Sequence, residues 1–405
     1  MAQAGNPCAG AATAASAERG LDWLNLFVAN IQTGFGPFVA VYLTTQGWTQ
    51  AAIGLALSLG TVASMASQVP AGAVVDAVRS KAAVALASVL AFSASALLLA
   101  LRPVPLFVYA AEILHGFSSC TLGPAIAAMS LAIAGPAMLG LRLGRNARFA
   151  SIGTGVGAAL MGACGYLVSE QAVFFLTAAL TLPAIWSLRP LRRIEAPAAP
   201  PREPGDCRSD ARRIVRLLTG RALVTFALCA TLFTLANAAM LPLVAGELTK
   251  RGGNDASLLI AACIVLPQGI VALLSPTIGQ LAQKRGRRLV LLLGFSMLPL
   301  RGLLFAGLTA PLPLVAIQAL DGVAATCIGV LVPLVTSDIA GRSGHFNLAL
   351  GFVGLAIGVG ATASTGLAGW AADRYGTEWA FLCLAAVGLA ATLLVLLAMP
   401  ETRRE

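Results

Sequence analysis

Four titratable side chains lie inside long apolar stretches of this chain. Glu112 and His115 are three residues apart in one stretch, Arg301 lies in a second stretch and Asp321 in a third. A charge at the centre of an apolar layer costs about 2.5 to 3.5 kcal/mol on membrane-insertion scales, so each of these residues needs a partner or a use. An acid, a base and a cation in such surroundings could carry a proton or bind a charged small molecule.

Arg301 and Asp321 lie at matching depth in consecutive apolar segments. At roughly 1.5 Å of helix per residue, Arg301 is about 10 Å from the end of its segment and Asp321 about 12 Å from the start of the next. The pair has two interpretations. It is a structural clamp whose charges only satisfy each other, or Asp321 takes up a proton or a cationic substrate while Arg301 tunes its acidity.

Glu112 and His115 share one face of a helix because residues three apart are neighbours on its surface. They form a second candidate for proton transfer. The alternative is that His115 is a hydrogen-bonding residue without a transfer role. Glu112 is the stronger candidate, since its charge is harder to bury.

Composition determines which elements carry these residues. Hydrophobic residues make up 58% of the chain and charged residues 11%, whereas soluble domains are about one quarter charged. We count twelve apolar runs, six in each half, the fifth of them beginning near Phe149, and each has the roughly 18 residues that a helix needs to cross a bilayer. The sequence therefore predicts an all-α membrane protein with twelve transmembrane helices.

The two halves are related by a direct repeat. Gly72 and Gly279 each begin a basic turn and lie 207 residues apart. Three further pairs keep a spacing of 207 or 206 residues: Gly162 with Gly369, Asn30 with Asn237, and Glu112 with Gln318. Recurrence at one period indicates a tandem duplication.

The basic turns carry a family resemblance. The later turn reads Gly279-Gln-Leu-Ala-Gln-Lys-Arg-Gly-Arg-Arg288 and the earlier one Gly72-Ala-Val-Val-Asp-Ala-Val-Arg-Ser-Lys81. Two six-helix halves, each with such a turn after its second helix, resemble the major facilitator superfamily. The family's turn reads Gly-x-x-x-Asp-Arg-x-Gly-Arg-Arg/Lys. The later copy departs from it at Gln283 and Lys284, in the places of the acid and the first arginine. The earlier copy departs from it at Ala77 and Arg79, in the places of the arginine and the glycine.

The resemblance implies a fold in five parts. We expect a cytoplasmic tail over residues 1–21, a six-helix half over 22–188, a cytoplasmic linker over 189–221, a second half over 222–399 and a short tail over 400–405. The linker has a Pro/Ala-rich centre from Ala196 to Pro204 and is expected to be a flexible tether.

The resemblance also assigns roles to residues. The two turns would act as cytoplasmic latches between helices; the residues concerned are Gly72, Asp76, Arg79, Lys81, Gly279, Arg285, Gly286, Arg287 and Arg288. In this family the first, fourth, seventh and tenth helices line a central cavity. That places four neutral polar residues at the cavity: Asn30, Gln32, Asn237 and Gln318. Hydrogen bonding between helices, worth less than about 2 kcal/mol, is the alternative role.

Orientation follows from the positive charges in the connecting segments. Most arginines and lysines between helices fall on one side if both termini are cytoplasmic, as the positive-inside rule requires. We therefore expect an inner (plasma) membrane protein whose linker arginines mark topology rather than nucleic-acid binding. Asp22 and Asp338, near the cytoplasmic helix ends, are expected to be solvated.

The sequence gives no sign of cofactor or metal chemistry. The eight cysteines form no CxxC pair and there are two histidines, so neither a metal cluster nor a disulfide framework is expected. The phosphate-binding loop of ATPases is absent, so a gradient would supply the energy. We expect a monomeric secondary transporter, not an enzyme, that exports small organic compounds in exchange for protons. Uptake of a small organic acid anchored by Arg301, or a receptor that moves no solute, are the alternatives.

Overall fold

The structure is a computed structural model that describes residues 7–35, 37–48, 50–101, 103–193, 207–251, 256–341 and 344–403. Within these ranges the regular elements are helices. The helices before the linker are α1 (Pro7–Thr33), α2 (Pro37–Thr45), α3 (Gln50–Ala77), α4 (Lys81–Leu101), α5 (Pro105–Leu167) and α6 (Glu170–Ser187), followed by a 3-10 turn over Pro190–Arg193. The later helices are α7 (Cys207–Leu218), α8 (Arg221–Asn237), α9 (Met240–Arg251), α10 (Ala256–Arg285), α11 (Arg287–Gly307), α12 (Pro311–Ala340), α13 (Phe346–Tyr375) and α14 (Thr377–Ala398).

The apolar helices account for the predicted membrane crossings. Among the described residues, ten helical segments are long and apolar enough to cross a bilayer. One of them, α5, has 63 residues, about 95 Å at roughly 1.5 Å per residue, which is enough for two crossings. Its backbone is broken at Gly135 (φ 67°, ψ 168°). With α6, an apolar helix of 18 residues, these segments give the all-α, twelve-crossing, two-repeat architecture that the sequence predicts.

The described residues divide into two compact units. Unit 1 takes its residues from Met1–Leu139, Phe149–Arg202 and Gly344–Gly351. Unit 2 takes its residues from Gly140–Arg148, Glu203–Ser343 and Phe352–Glu405. Each unit therefore consists of one half of the repeat and a short segment from the other half.

Each unit has its own apolar core. In unit 1 the core contains buried aromatic side chains, with Phe35 against Phe92 and Tyr42 against Phe174. In unit 2, Phe233 packs on Phe295 and Phe305 packs on Phe381. Burial of these rings fixes the helices that carry the polar residues described below.

Three sequence-based expectations need correction. The fifth helix was expected to begin near Phe149, but α5 continues as helix from Pro136 through the basic segment that ends at Arg148, because no residue after Gly135 interrupts it. The linker is not a tether throughout, since Cys207–Leu218 forms α7; its centre, Ala196–Pro204, lies outside the described residues. Asp22 and Asp338 are not simply solvated: Asp22 is buried, and Asp338 is paired with Arg287.

Candidate functional site

In unit 2, four of the predicted residues meet around Arg301. Its side chain is 1% exposed, and Nη1 lies 2.6 Å from Oδ1 of Asp321. The same nitrogen donates to Oδ1 of Asn237, and Nη2 donates to Oε1 of Gln318 at 2.9 Å. The face of Phe305, one turn along α11, lies 5.6 Å from the guanidinium carbon. Helices α8, α11 and α12 thus bring three oxygen acceptors and one aromatic ring to a single buried cation.

The charges of the Arg301 cluster balance, but its acid is more exposed to solvent than its cation. Asp321 supplies the one negative charge, and the oxygens of Asn237 and Gln318 satisfy donors without adding charge. The Asp321 side chain is 22% exposed, whereas that of Arg301 is almost completely enclosed. A proton or a competing ligand can therefore reach the pair only from the side of Asp321.

In unit 1, Glu112 is a buried acid without the cation that Asp321 has. Glu112 is 3% exposed, and among the described residues its Oε1 has no hydrogen-bond donor. The carboxyl group packs directly on α3 at Gly60, where an added Cβ would lie 2.7 Å from Oε2. Glycine is needed there because any side chain would displace the carboxyl group.

The repeat explains why Glu112 has no cation beside it. The residue 206 positions before Arg301 is Ser95. Its hydroxyl donates to the carbonyl of Ala111 at 2.7 Å. The first half therefore keeps a small hydrogen-bonding side chain in the place where the second half has its arginine.

His115 and Asn30 complete the polar group of unit 1. His115 stacks on Phe35 with ring centroids 4.1 Å apart and meets the edge of Phe92 at 5.5 Å. Asn30 is buried, and its Oδ1 has no donor among the described residues. Gln32 is exposed, and at two residues from Asn30 it lies on another face of α1. The structure therefore does not place Gln32 with the buried residues.

The first basic turn joins α3 to the start of α13 within unit 1. Asp76 accepts hydrogen bonds from the backbone N–H and the Nδ2 of Asn347, at 3.1 and 2.7 Å, and from the N–H of Leu348 at 2.8 Å. These amides are free donors at a helix N-terminus, where a carboxylate is stabilising. Gly72 permits the contact, since a Cβ there would lie 2.1 Å from the carbonyl oxygen of Asn347.

The cations of the first turn have different environments. Lys81 Nζ donates to carbonyls at the C-terminal end of α3, with distances of 2.6 Å to Val75 and 2.7 Å to Val78, which directly follows the helix. A cation is stabilising at the C-terminal end of a helix. Arg79 is exposed. The structure thus gives Asp76 and Lys81 structural contacts within unit 1.

The second basic turn is built around Arg287. Gly286 adopts φ 100°, a value that favours glycine, and α11 starts at the next residue. Arg287 is buried, and its Nε lies 2.9 Å from Oδ2 of Asp338 while Nη1 donates to the carbonyl of Ala282 at 2.7 Å. Two other members of the predicted set are placed differently, since Arg285 is exposed and Gly279 packs against the backbone of Gly140.

The acid of the second turn comes from the C-terminal tail. The backbone N–H groups of Arg287, Arg288 and Arg403 donate to the carboxylate of Glu401 at 2.8, 3.1 and 2.8 Å. Arg403 Nη1 donates to the carbonyl of Lys284 at 2.7 Å. Burial alone would raise the pKa of Glu401, but these amides and the charge of Arg287 together hold it below its usual value.

Sequence reasoning missed three members of these turns, namely Asp338, Asn347 and Glu401. The absence of an acid at Gln283 was a usable signal, because a basic turn without its own carboxylate needs one from elsewhere. Only the fold shows that the carboxylates come from the end of α12 and from the tail.

Comparisons with known proteins agree with this architecture. The family model of the Major Facilitator Superfamily matches residues 23–266 and 226–405. The chain belongs to the major facilitator superfamily. Two uncharacterized MFS-type transporters from strains of Mycobacterium tuberculosis are 35% identical over 394 residues, covering 95% of this chain and 93% of theirs. As a member of this family with relatives named as transporters, the protein is a membrane transporter and not an enzyme.

Solved structures of the superfamily share the fold. The transporter FucP in its outward conformation superposes with a TM-score of 0.77 at 15% identity, over 95% of this chain and 98% of FucP. The human organic anion transporter MFSD10 (TETRAN) superposes with a TM-score of 0.66 at 15% identity, again over 95% and 98% of the two chains.

Proposed function

We propose that this transporter exports a small organic compound in exchange for protons, and that Glu112 is the carboxyl group that carries the proton. The observation that carries the proposal is the placement of Glu112, which is 3% exposed with one oxygen lacking a donor. An ionised carboxylate without a partner costs several kcal/mol in a water-poor interior. A proton on the carboxyl group, or a cation beside it, removes that cost, so the two compete for one site.

Competition at one carboxyl group produces exchange. A protonated Glu112 has no charge to offer a cationic substrate, and a bound substrate leaves no place for the proton. Each must leave before the other binds, which couples their movement in opposite directions. Buried Asn30 and partly buried His115 offer hydrogen-bonding groups in the same unit.

The Arg301 cluster has a different part in this proposal. Its charges already satisfy each other at 2.6 Å, and two amide oxygens accept from Nη1 and Nη2, while Nε has no acceptor among the described residues. Because the acid already has its cation, the pair stabilises unit 2 and takes no part in coupling. The basic turns act as cytoplasmic latches, both termini are cytoplasmic, and the monomer in the inner membrane is the working form.

Uptake of a small organic acid with a proton is the second candidate function. The exposed side of Asp321 favours it, because protonation there would release Arg301 to bind a carboxylate. FucP is described as a fucose:proton symporter and MFSD10 as an organic anion transporter, so both proton symport and anion transport occur on this fold.

Transport in membrane vesicles of both orientations tests the proposal. Ethidium, a fluorescent organic cation, and radiolabelled benzoate serve as probes with an imposed pH gradient. Exchange with protons predicts ethidium accumulation in inside-out vesicles with an acidic interior, and its loss when an uncoupler is added. Accumulation of benzoate in right-side-out vesicles with acid outside, above that in matched vesicles without the protein and without ethidium transport, would establish the second candidate instead.

A further inference from the structure

Unit 2 contains a cavity at the end of its helices opposite the turn at Gly286. The cavity has a volume of about 330 Å³ and lies between the ends of α9, α11, α12, α13 and α14. This volume is within the range of small-molecule sites, roughly 300 to 1,000 Å³. The residues around it have no part in the proton exchange proposed above.

The cavity has a closed apolar floor. Val244, Phe305, Leu314 and Phe381 line it, and each is almost completely buried. The rings of Phe305 and Phe381 lie with centroids 5.2 Å apart. A ligand with an apolar or aromatic part would bury that part against these side chains.

The rim of the cavity is acidic. Glu247 and Glu378 line it, and none of the described residues that line it is basic. Thr377 Oγ1 donates to Oε1 of Glu247 at 2.9 Å, which fixes the position of that carboxylate. Glu378 lies in the first turn of α14, where the helix dipole explains its presence, but no helix terminus explains Glu247, which lies in the body of α9. The exposed rings of Tyr375 and Trp379 complete the rim.

We propose that this cavity binds a small organic cation with an apolar or aromatic part. Aromatic rings and carboxylates together are the surroundings that organic ammonium groups prefer. The guanidinium of Arg301 lies behind the floor, 5.6 Å from the centre of the Phe305 ring. The ligand's charge is therefore held at the rim and its apolar part at the floor. The site deepens the proposed function by naming the substrate class, and it rests on that function for its role in transport but not for binding.

Equilibrium dialysis of the full-length protein in lipid nanodiscs tests the site, with radiolabelled phenyltrimethylammonium as the probe and benzenesulfonate as its anionic counterpart. The double variant Glu247→Gln, Glu378→Gln should lower the affinity for phenyltrimethylammonium at least tenfold. Thr309→Lys adds a cation at the exposed rim without touching the floor, and should lower it similarly. The matched control Glu170→Gln removes an acid from the first turn of α6 and should change the affinity less than twofold.

The outcomes separate the site from the proposed function. Saturable binding of phenyltrimethylammonium, lost in the double variant and in Thr309→Lys but kept in Glu170→Gln, supports the site even where the vesicle assay finds no proton exchange. Absence of saturable binding, equal affinity for benzenesulfonate, or unchanged affinity in Thr309→Lys would overturn it. Thr309→Lys keeps the test decisive if the double variant does not fold.

Discussion

The polar groups of units 1 and 2 occupy matching positions of one repeat, but the acids in the two groups have different partners. Asn30 matches Asn237, Glu112 matches Gln318 and His115 matches Asp321, at spacings of 207 or 206 residues. In unit 2 the acid has an arginine 2.6 Å away. In unit 1 the acid has moved to the position of the amide, and no cation faces it in the part of the chain that the structure describes. Duplication preserved the positions, and divergence left one half with a closed ion pair and the other with an available acid.

The two basic turns also occupy matching positions of the repeat and differ in the source of their carboxylate. In unit 1 the turn's own acid, Asp76, caps α13. In unit 2 the equivalent residue is Gln283, and the acid that caps α11 is Glu401 from the tail. A helix N-terminus at a basic turn receives a carboxylate in both units, although the source differs.

The largest expected effect is on the ion pair of unit 2. Arg301→Gln should leave the partly buried Asp321 without its cation and lower the free energy of unfolding by about 3 to 5 kcal/mol. The double variant Arg301→Gln, Asp321→Asn should recover much of that loss, measured by thermal or denaturant unfolding in one detergent. Arg374→Gln, at an exposed arginine, is the control. Additive losses in the double variant would contradict the assignment of the pair as a clamp.

A smaller loss of stability is expected where the carboxyl group of Glu112 packs on Gly60. Gly60→Ala places a methyl group 2.7 Å from Oε2 of Glu112 and should cost about 1 to 3 kcal/mol, as overpacking usually does. The double variant Gly60→Ala, Glu112→Ala should relieve the clash. Gly54→Ala, on the same helix but with no atom within 4 Å of an added Cβ, should be neutral or slightly stabilising, because alanine favours a helix more than glycine does. An equal change in stability at both glycines would contradict the carboxyl contact.

Loss of the Asp76 carboxylate, which caps α13 in unit 1, should lower the free energy of unfolding by about 0.5 to 2 kcal/mol. Asp76→Asn keeps the size of the side chain but removes its charge and one acceptor oxygen, so α13 should lose part of its N-terminal stabilisation. Hydrogen exchange at the amides of Asn347 and Leu348 should accelerate, while that of α11 in unit 2 stays unchanged. Unchanged hydrogen exchange at both amides would show that Asp76 does not stabilise the start of α13.

The smallest effect concerns Glu401 and depends on pH. Because the folded-state pKa of Glu401 is held below its unfolded value, its stabilisation is fully present above the unfolded value of about 4.3 and is lost as pH falls through the folded pKa. Glu401→Gln should therefore lower the melting temperature slightly at pH 7. As the pH is lowered into the acid range, the melting temperature of the variant should fall less than that of the unchanged protein. Parallel pH profiles of the two proteins would argue against this cap.

The sequence predicted the repeat, the apolar helices and the residues that meet around Arg301, because hydrophobic periodicity and depth along a helix are readable without a structure. It could not predict that Glu112 lacks a cation, since that depends on which face of α4 carries Ser95. It also missed Asn347 and Glu401, because backbone amides at helix ends acquire their carboxylates through tertiary packing. The whole basic linker is expected to be a tether from its composition, although Ala211, Ile214, Val215 and Leu218 recur at helical spacing in α7.

The division of labour between the two units is tested most directly by comparing gradient-driven transport with exchange between equal compartments. Asp76, Arg301 and Asp321 are structural in this account, and Glu112 alone carries the proton. Glu112→Gln should abolish ethidium accumulation driven by a pH gradient and weaken ethidium exchange in the absence of a gradient, because glutamine, like the protonated acid, offers no charge to a cation. The stable double variant Arg301→Gln, Asp321→Asn should keep both activities. Gradient-driven accumulation that survives in Glu112→Gln would show that Glu112 is not the proton carrier. Loss of coupling in the double variant would show that the pair of Arg301 and Asp321 takes part in it.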